Sequence, residues 1–190
     1  PATILWEYGK VTEKSWYEHG KLHRENGPAY VEYNNQGNIF RKFWHFEGKY
    51  HRINKPAKIY FDEQGKVITK EWYFEDNRHR ENGPAYLVYK NGKLIESEWY
   101  IDGSHHRIGG PCSVRRNEKG IVTWISWYQN GKPHRVGGPA SISRDDRGRV
   151  QEFNWYQNGK LHRVDSTGKA SEPASCRYDN FGKIYVRKFY

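Results

Sequence analysis

A chain of 190 residues is long enough for one ordinary domain, yet only 35% of it is hydrophobic and 16% is aromatic, so Tyr and Trp stand where Leu and Ile usually build a core. Lys and Arg number 32 against 22 Asp and Glu, and the resulting charge of +10 favours anionic partners without choosing among nucleic acid, acidic lipid and acidic protein. No window approaches the ~18 consecutive apolar residues of a membrane span, and no positive-then-apolar leader opens the chain.

In chain order, Pro1 to Tyr17 (PATILWEYGKVTEKSWY) aligns without a gap on Pro84 to Tyr100 (PAYLVYKNGKLIESEWY), which sets the phase of a repeat. The phrase WYEHGKLHRENGPA (16–29) returns as WHFEGKYHRINKPA (44–57), WYFEDNRHRENGPA (72–85), WYIDGSHHRIGGPC (99–112) and WYQNGKPHRVGGPA (127–140). A sixth copy, WYQNGKLHR (155–163), runs into an insertion, 164–172. The opening tryptophans, Trp16, Trp44, Trp72, Trp99, Trp127 and Trp155, are spaced 28, 28, 27, 28 and 28 residues apart, a period that signals an array. Units open at Pro1, Pro28, Pro56, Pro84, Pro111, Pro139 and Pro173, and Phe189 closes the last where the others end on Trp.

Within a unit, AYVEYN (29–34) and IFRKFW (39–44) mix β-branched and aromatic residues around the Gly-containing turn NQG (35–37), the pattern of a β-hairpin. Asp102-Gly103, Asn130-Gly131 and Asn158-Gly159 in the joining phrase tolerate positive φ and predict tight turns between hairpins. Gly27, Gly83, Gly110 and Gly138 are expected to bend the chain before each proline. The predicted fold is all-β: one repeat-array domain over 1–190, built as a linear stack of seven antiparallel hairpins. With ~4.8 Å between strands and two strands per unit, equivalent side chains recur about every 10 Å.

An aromatic, a Gly-Lys step, a His and a Gly-rich close make the phrase similar to the MORN repeat, and the HR-x-x-GPA variant resembles the MORN-like repeats of bacteriophage and giant-virus proteins and, more distantly, repeats of antitoxin-like proteins. The resemblance covers all seven units and implies an elongated sheet of stacked hairpins. It also implies a scaffold or contact surface, with a viral structural or host-interaction role. Here His-Arg replaces the His-Gly of the MORN pattern, and membrane-lipid binding is not carried over.

Two residue ladders invite chemical readings. His23, His51, His79, His106, His134 and His162 are potential metal ligands, but a metal needs donors ~2 Å from one centre, and a ~10 Å repeat keeps them apart. A structural role is expected, with no metal. Arg24, Arg52, Arg80, Arg107, Arg135 and Arg163 either stack on the repeat's Trp or Tyr and pair with acids such as Glu25, Glu81 or Asp165, or line a positive stripe for phosphates. Recurrence in every unit favours the first reading, and the same argument makes the tryptophans core. Departures from the repeat at RKFWHFEGKYHR (41–52), SVRRNEKG (113–120) and SRDDRGR (143–149) are the better binding clues. Asp145-Asp146 reads as a turn former.

No nucleophile elbow, phosphate-binding Gly loop or Cys/His metal set is present, so no catalytic group and no cofactor are expected. Cys112 and Cys176 lie about two periods apart and are expected to stay reduced, which points to a cytoplasmic location, or a virion if viral. The leading expectation is a non-enzymatic scaffold presenting a basic and aromatic β surface to a protein partner. The alternative is a nucleic-acid-binding protein using the basic face. Partner capture or self-association through the last strand is expected at Ile184, Tyr185, Val186, Phe189 and Tyr190, where an unpaired edge can extend a sheet.

Overall fold

The computed structural model describes residues 2–164, 168–169, 172–179 and 181–189. Its regular structure is entirely β among the described residues, and main-sheet strands follow one another antiparallel in chain order, as consecutive hairpins. No helix among the described residues is long and apolar enough to cross a membrane.

Contacts gather the chain into two compact units: Pro1–Leu94 with Tyr100–Gly103, and Ile95–Trp99 with Ser104–Tyr190. In the first unit the main strands are Ala2–Glu7, Lys10–Glu18, Tyr30–Tyr33, Ile39–Phe43, Lys58–Phe61, Val67–Glu71 and Tyr86–Lys90. The second unit starts within Lys93–Glu98 and continues through Ser113–Arg116, Val122–Ser126, Ser141–Arg144, Val150–Asn154, Ser175–Tyr178 and Ile184–Lys188. Two-residue ribbons such as His45↔Tyr50 with Phe46↔Lys49, and Tyr128↔Pro133 with Gln129↔Lys132, fold each joining phrase back on itself.

Turn chemistry fixes the register. At the hairpin tips, Asn34 accepts hydrogen bonds through Oδ1 from the backbone of Gln36 (3.0 Å) and Asn38 (2.9 Å), and Gly37 takes φ 84°. Asp62, Asn117, Asp145 and Asp179 make the same closure, confirming Asp145 as a turn former. The extra residue shifts the register by one, as between Glu32 and Tyr33, which leaves a bulge beside the turn. The joints use the predicted tight turns, with Asn130 at φ 49° and Gly131 at φ 74°.

The centre of the sheet is made of small residues. Ala29, Ala57 and Ala85 in the first unit, and Cys112, Ala140 and Ala174 in the second, are all 0% exposed. Each accepts a tryptophan N–H at its carbonyl, and Ala57, Cys112, Ala140 and Ala174 sit at a backbone crossroads: Trp44 N–H donates to the Ala57 carbonyl, while Ala57 N–H donates to that of Glu71, both at 2.8 Å. The first bond ties a hairpin to its neighbour and the second closes the hairpin itself. The tryptophans of the repeat are therefore not the whole core: Trp72 is buried and the other five are half-buried. Cys112 substitutes for Ala because a thiol is small enough, and both cysteines are free.

Enlarging one of these enclosed residues has no relief. Ala85→Val and Ala140→Val are expected to destabilise by about 1–3 kcal/mol each through overpacking, read as a lower denaturation midpoint at unchanged slope. Cys112→Ala should stay within about 1.5 kcal/mol of the parent.

Candidate functional site

The repeated phrase folds into a joint with one geometry. The guanidinium carbon lies over the indole at 4.0 Å for Arg24 on Trp16, 3.9 Å for Arg52 on Trp44 and 4.1 Å for Arg80 on Trp72. The second unit repeats this at 4.1 Å for Arg107 on Trp99, 3.7 Å for Arg135 on Trp127 and 4.4 Å for Arg163 on Trp155. Each Nη1 also donates to the carbonyl of the following proline, at 3.1 Å from Arg80 to Pro84 and 2.8 Å from Arg107 to Pro111. Arg163 pairs in addition with Glu172. Burial pulls the guanidinium pKa of Arg52, Arg80 and Arg135 below its ordinary range, while still leaving arginine charged at neutral pH. The row is thus occupied by its own joints, as the structural reading expects, through Trp and proline rather than through Glu25 or Glu81.

The glycines before proline serve this stack. A Cβ at Gly83 would stand 2.7 Å from Arg80 Cζ, and one at Gly138 would stand 2.8 Å from Arg135 Cζ. The chain bends at each of these glycines, as expected from the sequence, and the missing Cβ in addition leaves room for the guanidinium. Where the position is Lys55, its side chain is exposed.

Four of the histidines link their joint to the next turn, whereas the Nδ1 of His51 is buried without a hydrogen-bond partner. His23, His79, His106 and His134 accept through Nδ1 from the backbone N–H of Glu47, Asp102, Asn130 and Asn158 at 3.2–3.3 Å. In the first unit a phenyl ring stands between successive imidazoles, with centroids 4.7 Å apart for His23 and Phe46 and 4.7 Å for His51 and Phe74. The imidazoles are therefore held apart by packing, and no group of three His, Cys, Asp or Glu among the described residues could hold a metal.

The opposite face of the first unit carries a polar network that sequence reasoning missed. Buried Glu71 receives Arg78 at 2.7 Å and the Tyr73 hydroxyl at 2.9 Å. Lys58 Nζ lies 3.6 Å from the Tyr50 ring centre and 4.5 Å from that of Tyr73. Burial pushes Tyr73 up to about 12, with Glu71 adding to it, and pulls Lys58 down. His45 packs on Tyr50 at 4.3 Å, its Nδ1 is buried without a hydrogen-bond partner, and burial pulls its pKa down to about 4. A network of this kind fixes one packing arrangement; the signal for it was the acid–base alternation of Glu32, Arg41, Glu71 and Arg78, legible only once the strand register is known.

Between successive joints of the first unit run two grooves, of about 810 Å³ and 610 Å³. Their walls are apolar at Trp44, Phe46, Ile53, Trp72 and Phe74, with Glu25, Glu75, Glu81 and Asp102 around them. Ile53 is 70% exposed at a loop tip, and in the second unit Ile108 (78%) and Val136 (76%) hold the same position after the arginine. On the last strand, Ile184 and Val186 are half-buried and Tyr185 is exposed, as is Phe189 beyond it; Tyr190 and part of the insertion lie outside the described residues.

No protein-family profile matches the chain, and comparison with curated proteins finds no match.

Two outcomes test the joint and the network. Gly83→Ala is expected to destabilise by about 1–3 kcal/mol, and less when combined with Arg80→Ala, because the clash requires both residues. As for His45, it stays neutral in the fold down to about pH 4, whereas in the unfolded chain it protonates near 6.5. The unfolded state then binds more protons, so stability falls as pH drops from about 6.5 to about 4 and levels off below. His45→Phe should remove that part of a denaturation-versus-pH profile.

Proposed function

We propose that the protein is a non-enzymatic binding scaffold whose hairpin array holds joint loops out to a protein partner. The observation that carries this reading is the exposed aliphatic residue after the joint arginine. Ile108 and Val136 in the second unit, and Ile53 in the first, leave most of their surface in water, although the joints with Glu25 and Glu81 hold the same geometry without them. The fold does not need an apolar side chain there, and recurrent exposed apolar tips are what a contact surface requires. In the second unit Val164, 39% exposed, continues the row after Arg163.

The joints also explain how such a row is kept in register. Each arginine is clamped between indole and proline carbonyl, so the loop tip one residue later has a fixed origin. A partner then meets pre-ordered apolar knobs and little ordering entropy opposes the contact.

The test is a double substitution, Ile108→Glu with Val136→Glu. Stability is expected to stay within about 0.5 kcal/mol of the parent, since surface changes rarely do more. Proteins captured by the parent from its native source and identified by quantitative mass spectrometry are expected to be lost from the variant. Undiminished capture by a folded variant would remove the joint tips from the reading.

A further inference from the structure

The tryptophan-bearing face of the first unit holds a second row, two residues before each tryptophan. Register places Lys14 opposite Val31, Val31 opposite Lys42, Lys42 opposite Ile59, Ile59 opposite Lys70, and Lys70 opposite Leu87. Directly opposed residues share a face, so lysine and aliphatic residue alternate along one line across the strands. Each lysine also reaches over an aromatic ring of the following hairpin. Nζ lies 5.6 Å from the centre of Tyr33, 5.7 Å from that of Phe61 and 5.7 Å from that of Tyr89, for Lys14, Lys42 and Lys70 in turn.

These three ammonium groups form no ion pair with a carboxylate among the described residues. That separates them from the unit's arginines. Arg41 and Arg78 are matched to Glu32 and Glu71 on the opposite face, and the joint arginines are clamped on indole and proline carbonyl. All three lysines and all three rings are half-buried, which leaves part of each open to a ligand. The second unit departs from this arrangement: Ser97, Ile125 and Phe153 stand at the lysine position, with Arg187 on the last strand, and Arg116, Arg144 and Tyr178 stand at the aromatic one. The hairpin therefore folds without the lysine row.

We propose that this row is a docking surface for single-stranded nucleic acid. Unmatched cations about 10 Å apart along the sheet suit a polyanion laid across the strands, neutralised at intervals by flexible lysine stems. The ring beside each cation selects among polyanions. A base can stack on an aromatic face whatever its identity, and a positive groove with aromatic platforms is the recurrent chemistry of sequence-tolerant single-strand binding. An acidic peptide offers the charge but no planar group to use the rings.

The experiment measures binding of a labelled oligothymidylate to the full chain by fluorescence anisotropy over a range of salt, with polyglutamate as competitor. Salt-sensitive binding of the oligonucleotide, poorly displaced by polyglutamate, is expected. The triple variant Lys14→Gln, Lys42→Gln, Lys70→Gln is expected to bind at least about tenfold more weakly. Its plot of log affinity against log salt should be shallower by about 2, since each single-strand phosphate contact contributes roughly 0.7. The charge-matched control Lys66→Gln, Lys119→Gln, Lys160→Gln should retain the parental slope and affinity within about twofold. Should the first triple variant not fold, Lys42→Gln alone is read for a slope change of about 0.7, and arginine at all three positions should keep binding. Phe61→Leu is expected to weaken binding without changing the slope. Equal loss in both triple variants would reduce the effect to diffuse charge, and equal competition by polyglutamate would assign the row to an acidic protein; either result overturns the proposal.

Discussion

Everything in this protein hangs on one contact, the guanidinium held between an indole ring and a proline carbonyl. A sheet of short hairpins has no deep interior, and each hairpin alone buries too little to stand by itself. Stability must come from the junction between neighbours. The stacked arginine supplies a cation–π contact worth about 0.5–2 kcal/mol and a charged hydrogen bond of about 1.5–3 kcal/mol, at the point where one hairpin passes to the next. The backbone completes the junction: Arg52 N–H donates to the Tyr73 carbonyl and Arg135 N–H to that of Tyr156, so the clamped residue also ties its loop to the following ribbon.

From that contact the other sequence constraints follow. The residue whose carbonyl accepts the tryptophan N–H is fully enclosed, so it needs almost no side chain, and Ala or Cys occupies it. The guanidinium must be approached closely by backbone, so glycine precedes proline in four of the joints. The imidazole one residue before the arginine is then set against the next turn, where in four joints it accepts a backbone N–H. The phrase repeats because each of its members is a condition for the same stack.

How far this was legible in the sequence depends on whether a feature lives on one unit or between units. The period, the hairpins and the Asn-Gly turns are local, and turn residues have fixed backbone meanings, so they could be read directly. The stacking of arginine on tryptophan could be argued from recurrence alone. The identity of the core could not, because large aromatics draw attention while the residue that is truly enclosed is an alanine whose burial depends on two crossing backbone bonds. The function of the glycines was read only in part for a related reason: the bends are present, but the φ angles need no glycine at 83, 110 and 138, and only the position of the arginine reveals that constraint. The uniform period likewise gave no sign that contacts gather into two units.

The division of faces was the least legible feature, and it is where function has room to act. A bulge beside each hairpin turn shifts the register by one, so which residues share a face cannot be counted outward from the turn. Once the register is known, the arginines of the first unit and the lysines two before its tryptophans sort into three chemical situations. Arg41 and Arg78 on the ribbon-tyrosine face are matched to carboxylates, the joint arginines are enclosed by their own loop, and Lys14, Lys42 and Lys70 have rings rather than carboxylates beside them. A repeat protein that spends its arginines on holding units together can carry a large positive charge without offering it to a ligand, so net charge alone overstates its basic surface. The residues free to evolve a partner are those the stack does not constrain, namely the position after the arginine and the strand position two before the tryptophan. Both vary among the units here while the joint around them keeps its geometry, as expected if architecture fixes one set of side chains and binding chooses the other.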